Sequence, residues 1–180
     1  MKTESTAMYV VRLAGILLAI TAVVALCLAG VNAITKPIID ELNAAKTQKA
    51  IETVLPGGFD EELTGYADET GLVSKVYKGA NGYAFEVTPG GFDGEITMMV
   101  GIENGAITGI SVISHTETPG LGAVAAAQNA KGEAFRSQFV GQEGTLSIGD
   151  QIDAMSGATI TSNAVVTGVN AALDYVANLG

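Results

Sequence analysis

EITMMVGIENGAITGISVISH, residues 95–115, is the stretch whose reading decides the fold. Two apolar, β-rich runs, 95–103 and 106–115, flank Asn104-Gly105, the dipeptide that most readily supplies the two positive φ angles of a type I′ turn. The spacing predicts a β-hairpin. Upstream, residues 72–78 and 83–88 read as two further strands, and in the second Tyr83, Phe85 and Val87 alternate with Ala84, Glu86 and Thr88. Downstream, the small-residue run 123–130 and the segment 133–139 read as helical, and 145–148 reads as a short strand. A last helix over 162–179 carries Val165, Val166, Val169, Leu173 and Val176 on one face. This order predicts an α+β domain built on one antiparallel sheet with flanking helices. PGGFD occurs at 56–60 and again at 89–93, too few copies for a repeat array, and reads as two turns.

Working outward to the amino terminus, residues 13–34 (LAGILLAITAVVALCLAGVNAI) carry no charge. Twenty-two residues at 1.5 Å each span roughly 33 Å, enough for the ~30 Å hydrocarbon core of a bilayer. The competing reading is a secretory signal, but its apolar core is usually only about 7–15 residues long. A single uncleaved transmembrane helix over 13–35 is therefore expected after a tail at 1–12. A stalk and first domain segment follow at 36–70, with the main domain at 71–180. Ile38, Ile39, Leu42, Ala45, Ile51 and Val54 recur at helical spacing, and Pro56-Gly57-Gly58 ends that pattern. Charge leaves the orientation open, with Lys2 and Arg12 on one flank and Lys36, Lys46 and Lys49 on the other. Ala14, Gly15, Ala19, Ala22 and Ala25 offer a small-residue face on the span.

Composition narrows the chemistry. One cysteine, Cys27, and one histidine, His115, exclude a Cys/His zinc site or a thiolate-held iron–sulfur cluster made by this chain alone, and no metal site is expected. Beyond position 35 there are 7 basic and 18 acidic residues, a net of −11, the wrong sign for a nucleic-acid surface. The whole chain of 180 residues has a mean hydropathy of +0.36, and its apolar excess sits in the amino-terminal span. Any redox chemistry must come from an organic cofactor or a partner subunit.

Two segments combine turn chemistry with reactive side chains. In HTETPGLG, residues 115–122, Pro119 and Gly120 suit positions i+1 and i+2 of a type II turn, beside the chain's only imidazole, Glu117 and two threonines. The alternative is an ordinary connection with a surface histidine. In DAMSGATITS, residues 153–162, Ser156, Gly157 and Ala158 are small enough for a phosphate to reach the backbone, and a helix start near Ser162 adds positive potential. There the alternative is a plain helix N-cap. No lysine follows the glycine, so this is not a P-loop.

The pattern D-x-x-S-G-A-T at 153–159 resembles the covalent flavinylation motif of the FMN-binding domain family, in which a flavin transferase esterifies FMN phosphate onto the last threonine. HTETPGLG is similar to the second hallmark of that family. With the single span and the hairpin, the chain resembles the G subunits of Rnf-type ion-translocating electron-transport complexes. The C subunits of the sodium-pumping NADH:quinone reductase, which share the domain, are the second resemblance. What this implies is a phosphoester at Thr159, with Asp153, Ser156, Gly157 and Ala158 recognised by the transferase and Thr161 and Ser162 as bystanders or caps. His115, Glu117, Thr118, Pro119, Gly120 and Leu121 would line the flavin. The resemblance further implies a relay between ferredoxin and NAD that moves Na⁺ or H⁺, with other membrane and peripheral subunits as partners. It places the amino terminus in the cytoplasm and the domain on the outer face of the inner membrane. A scaffold of the same fold that never acquires flavin is the reading from another class.

Overall fold

A computed structural model describes residues 6–63 and 70–179. The chain divides into two compact units, Met1–Ala44 and Ala45–Gly180. The division falls inside one long helix, α1 (Thr6–Val54), which passes through Pro37 without ending. The start of the predicted tail, residues 1–5, and the end of the segment predicted for 36–70, residues 64–69, lie outside the described residues. In the first unit α1 leaves Leu13, Leu17, Leu18, Leu26 and Ile34 exposed. It is the one helix among the described residues long and apolar enough to cross a membrane.

The second unit is built on a five-stranded antiparallel meander, β1 (Glu61–Leu63), β2 (Val73–Lys78), β3 (Gly82–Val87), β4 (Thr97–Glu103) and β5 (Ala106–Ser114), paired in chain order. The predicted hairpin is β4–β5, and its turn has φ of 53° at Asn104 and 84° at Gly105, both left-handed as a type I′ turn requires. Sequence periodicity missed β1. It is three residues long, lies at the sheet edge and has two exposed glutamates, so it shows no apolar alternation to detect.

Both faces of the sheet are covered. On one, Val76, Phe85, Val100 and Ile110 pack with α3 (Thr159–Leu179) through Val165, Val169, Ala172 and Leu173. Phe135 of α2 (Ala130–Ser137) and Phe139 join this core with their rings edge-on, centroids 5.5 Å apart. On the other face Tyr77, Ala84 and Met99 meet Ala50, Ile51, Val54 and Leu55, the last turns of α1 and the residue after it. Gly101 makes this approach possible, because a Cβ there would collide with the Val54 carbonyl and the Thr108 hydroxyl, which are themselves hydrogen-bonded. Two covered faces explain why β4 is buried along nearly its whole length instead of on alternate residues.

Three elements differ from expectation. The alanine run forms only a short 3-10 helix, Gly122–Ala126. Ala127 is then extended, and Asn129 starts α2 afresh by accepting from the Lys131 and Gly132 N–H groups, each at 3.1 Å. Residues 145–148 are not a strand, because the side-chain amide of Asn170 takes both the N–H and the carbonyl of Leu146 at 2.9 Å. The last helix begins at Thr159, three residues before the predicted start, so Thr161 and Ser162 lie in its first turn.

Candidate functional site

The three buried polar or charged residues in the described core all come from the two motif segments: Glu117 (5% exposed), Thr161 (1%) and Ser162 (0%). Buried polar groups need partners, and these partners tie the segments together. Ser162 Oγ accepts from the Met155 N–H at 2.9 Å and donates to the Ala158 carbonyl at 2.9 Å, clasping the SGAT loop onto the start of α3. Glu117 Oε2 accepts from the Thr161 hydroxyl at 2.5 Å. Its Oε1 accepts from the N–H groups of Phe92 at 2.7 Å and Asp93 at 3.3 Å. The Thr116 hydroxyl adds a bond to the Asp93 carbonyl at 2.6 Å. Thr161 and Ser162 are thus more than caps: Ser162 clasps the SGAT loop to α3, and Thr161 joins through Glu117 the loop at 115–122, the turn at 89–94 and the beginning of α3.

Glycines leave the space for this. A Cβ at Gly91 or Gly122 would collide with a carboxylate oxygen of Glu117. Gly120 (φ 80°) completes the predicted type II turn, closed by Leu121 N–H to Thr118 O at 3.2 Å. Gly157 (φ 74°) completes a second turn of the same kind, closed by Ala158 N–H to Met155 O at 3.0 Å. The two turns touch, since a Cβ on Gly157 would sit 3.1 Å from Leu121 Cδ2.

Between them lies a cleft of about 340 Å³ walled by Phe92, Glu117, Leu121, Gly157, Thr159 and Thr161, with Thr118, Gly122, Ala158 and Ile160 completing it. Its rim is apolar: Phe92 is 66% exposed, Ile160 56% and Leu121 44%. Thr159 is exposed at the first position of α3. Among the described residues no hydrogen bond engages its hydroxyl, and the N–H groups of Thr159, Ile160 and Thr161 have no acceptor. Helical bonding begins only at the Ser162 N–H, which donates to Ala158 O at 2.9 Å.

Of the residues picked from sequence, the cleft therefore brings together Glu117, Thr118, Leu121, Gly157, Ala158 and Thr159. Gly120, Asp153 and Ser156 line a neighbouring hollow with Lys131 and Gln138, where Gln138 grips the backbone of Asp153. Pro119 is exposed in its turn and lines neither hollow. His115 is half-buried, its Nδ1 enclosed without a hydrogen-bond partner, and it too lies outside both linings. Phe92, Ile160 and Thr161 were missed. The signal for Phe92 was an aromatic side chain between glycine turns, with no partner nearby in sequence to bury it.

Residues 91–174 match the model of the FMN-binding domain family. The chain is 35% identical over 94% of its length, and 93% of the relative's, to the G subunit of the Na⁺-translocating ferredoxin:NAD⁺ oxidoreductase complex of Acetobacterium woodii. It is 36% identical over 87% of its length, and 89% of the relative's, to the G subunit of the ion-translocating oxidoreductase complex of Methanosarcina acetivorans. Identity to the corresponding G subunit of Vibrio cholerae is 38% over 50% of this chain and 46% of that one. With an FMN-binding domain behind an amino-terminal helix fit to cross a membrane, the chain belongs to the family of G subunits of ion-translocating oxidoreductase complexes.

Proposed function

We propose that this chain is an electron-transfer subunit of a membrane-bound ferredoxin:NAD oxidoreductase coupled to Na⁺ or H⁺ movement, and that it carries FMN as a phosphoester of Thr159. The observation that supports the attachment point is the contrast between two hydroxyls two residues apart. Thr159 is exposed and unengaged, while Thr161 is buried against Glu117. A transferase can reach only the first. A phosphate on Thr159 would sit beside three N–H groups without acceptors and the positive end of a 21-residue helix, which favour an anion in a domain of net charge −11.

The cleft suits the ring system of the same group. Its volume falls within the ~300–1,000 Å³ of ligand pockets, and its exposed apolar rim would be covered by a flat heterocycle. Bound there, FMN supplies the electron chemistry. The protein's share is geometric: Phe92, Leu121 and Ile160 exclude water from the ring, and Gly157 lets the backbone approach. Asp153 and Ser156, both exposed, form with Gly157 and Ala158 the sequence that the flavin transferase reads. Attachment keeps the cofactor from dissociating into dilute surroundings. By family likeness the amino terminus is cytoplasmic, the apolar part of α1 lies in the inner membrane, and the domain works on the outer face beside the complex's other subunits.

The test is a denaturing gel of the chain co-produced with its transferase, viewed under ultraviolet light. A fluorescent band should be present, absent in Thr159→Ala and retained in Thr161→Ala. Colour that washes out on denaturation would mean FMN held without a bond, and a chain that never gains colour would mean a scaffold.

A further inference from the structure

Glu117 is a carboxylate with an unusual set of partners. It is 5% exposed, it forms part of the cleft wall, and all three of its hydrogen bonds come from neutral donors: the Thr161 hydroxyl and the Phe92 and Asp93 N–H groups. Among the described residues no cation pairs with it. The charged side chains that its partner segments carry, Asp93 in the turn at 89–94 and Asp153 ahead of α3, have the same sign. A buried charge is ordinarily paired, because taking it out of water costs several kcal/mol. Here the two glycines that a Cβ would drive into its oxygens, Gly91 and Gly122, show the backbone shaped around the carboxylate.

We infer that Glu117 has two separable roles toward the flavin of this cleft. Its hydrogen bonds position the first turn of α3 and the Phe92 turn, and its fixed negative charge lowers the cofactor's reduction potential. The inference rests on the reading that FMN is attached at Thr159. Electrostatically the second role follows from sign. Each electron delivered to the cleft adds one negative charge until a proton follows it. A carboxylate in the wall, screened less than it would be in water, opposes that addition. The positioning role follows from reach, since one carboxylate holds the segments that bear Phe92 and Thr159, both of which line the cleft. Both oxygens are engaged within the protein. Glu117 thus stands in the cleft wall, and the effect inferred for it on the flavin runs through field and geometry.

The two roles separate by substitution in the full chain, co-produced with the flavin transferase and purified in detergent. Glu117→Gln removes the charge and keeps the bonds, because its amide oxygen accepts from Phe92 and Asp93 while its NH₂ donates to a rotated Thr161 hydroxyl. Glu117→Asp keeps the charge and is one methylene too short for both contacts. Glu117→Ala loses both. The readouts are the fraction of chain carrying the added mass of FMN less water, and the midpoint potential from a dithionite titration with redox mediators.

Attachment should match the unaltered chain in Gln and fall severalfold in Asp and Ala. The potential should shift positive in Gln and Ala and stay near the unaltered value in Asp. A Gln variant with unchanged potential, or an Asp variant shifted as far as Gln, overturns the charge role. Attachment in Ala equal to that of the unaltered chain overturns the positioning role. If the Gln variant does not fold, Ala against Asp still tests the charge on whatever fraction is flavinylated. An unaltered chain that gains no mass refutes the Thr159 reading, whereas a flavinylated chain with a potential indifferent to charge at 117 refutes this inference alone.

Discussion

Exchanging the two hydroxyls of the first helical turn should separate stability from modification. In Thr161→Val the side chain keeps its shape but loses the bond to Glu117 Oε2, leaving one oxygen of a buried carboxylate without a donor. A hydrogen bond to a charged group contributes about 1.5–3 kcal/mol, and leaving a buried partner unsatisfied costs at least as much. At roughly 4 °C per kcal/mol for a domain of this size, the expected fall in Tm is about 6–12 °C. Thr159→Ala removes an exposed hydroxyl with no partner, so stability should change by no more than about 0.5 kcal/mol, or ~2 °C. The assay is thermal unfolding of the full chain in detergent by circular dichroism, with protein made without the flavin transferase so that bound cofactor does not stabilise one variant over another. Equal Tm values for the two variants, or a larger drop in Thr159→Ala, would refute the assignment of one hydroxyl to the core and the other to the surface.

Other perturbations follow from the same geometry. Gly101→Ala should lower the Tm by about 10 °C, from the ~2–3 kcal/mol cost of overpacking, because its methyl group meets the Val54 carbonyl where α1 lies on the sheet. Ser162→Ala should cost about 1–3 kcal/mol in urea unfolding by orphaning the Met155 N–H, and should also lower flavin attachment as the SGAT loop loosens. Phe139→Ala, at a side chain with no exposure, should cost about 3–5 kcal/mol and shift the urea midpoint without changing the slope of the transition. Asn170→Leu should raise amide hydrogen exchange at Leu146, whose N–H and carbonyl lose their only clasp.

The hairpin, the antiparallel sheet, the membrane-length helix and the two motif segments could be read along the chain because each is a local signal. Asn104-Gly105 sets its own dihedrals, a 22-residue uncharged run needs no partner to be recognised, and a Pro-Gly turn is specified by four residues. Signals that failed were those in which a distant group outcompetes the local one. Asn170 reaches across 24 residues to take the backbone bonds of Leu146, so a strand pattern yields a clasped loop. Asn129 captures two N–H groups and cuts an alanine run that propensity alone would continue as helix.

At the site the division is the same. Sequence by itself determined that an acidic domain, with one histidine and no cysteine beyond position 35, carries a D-x-x-S-G-A-T motif that resembles the flavinylation motif of the FMN-binding domain family. Tertiary structure alone decided which of two nearby threonines faces solvent and which is buried, and that Glu117, 44 residues from Thr161 and 25 from Phe92, joins their segments. Burial and hydrogen-bond partnership are properties of the packed chain. They depend on which surfaces the sheet and α3 bring together, and no spacing along the sequence encodes that.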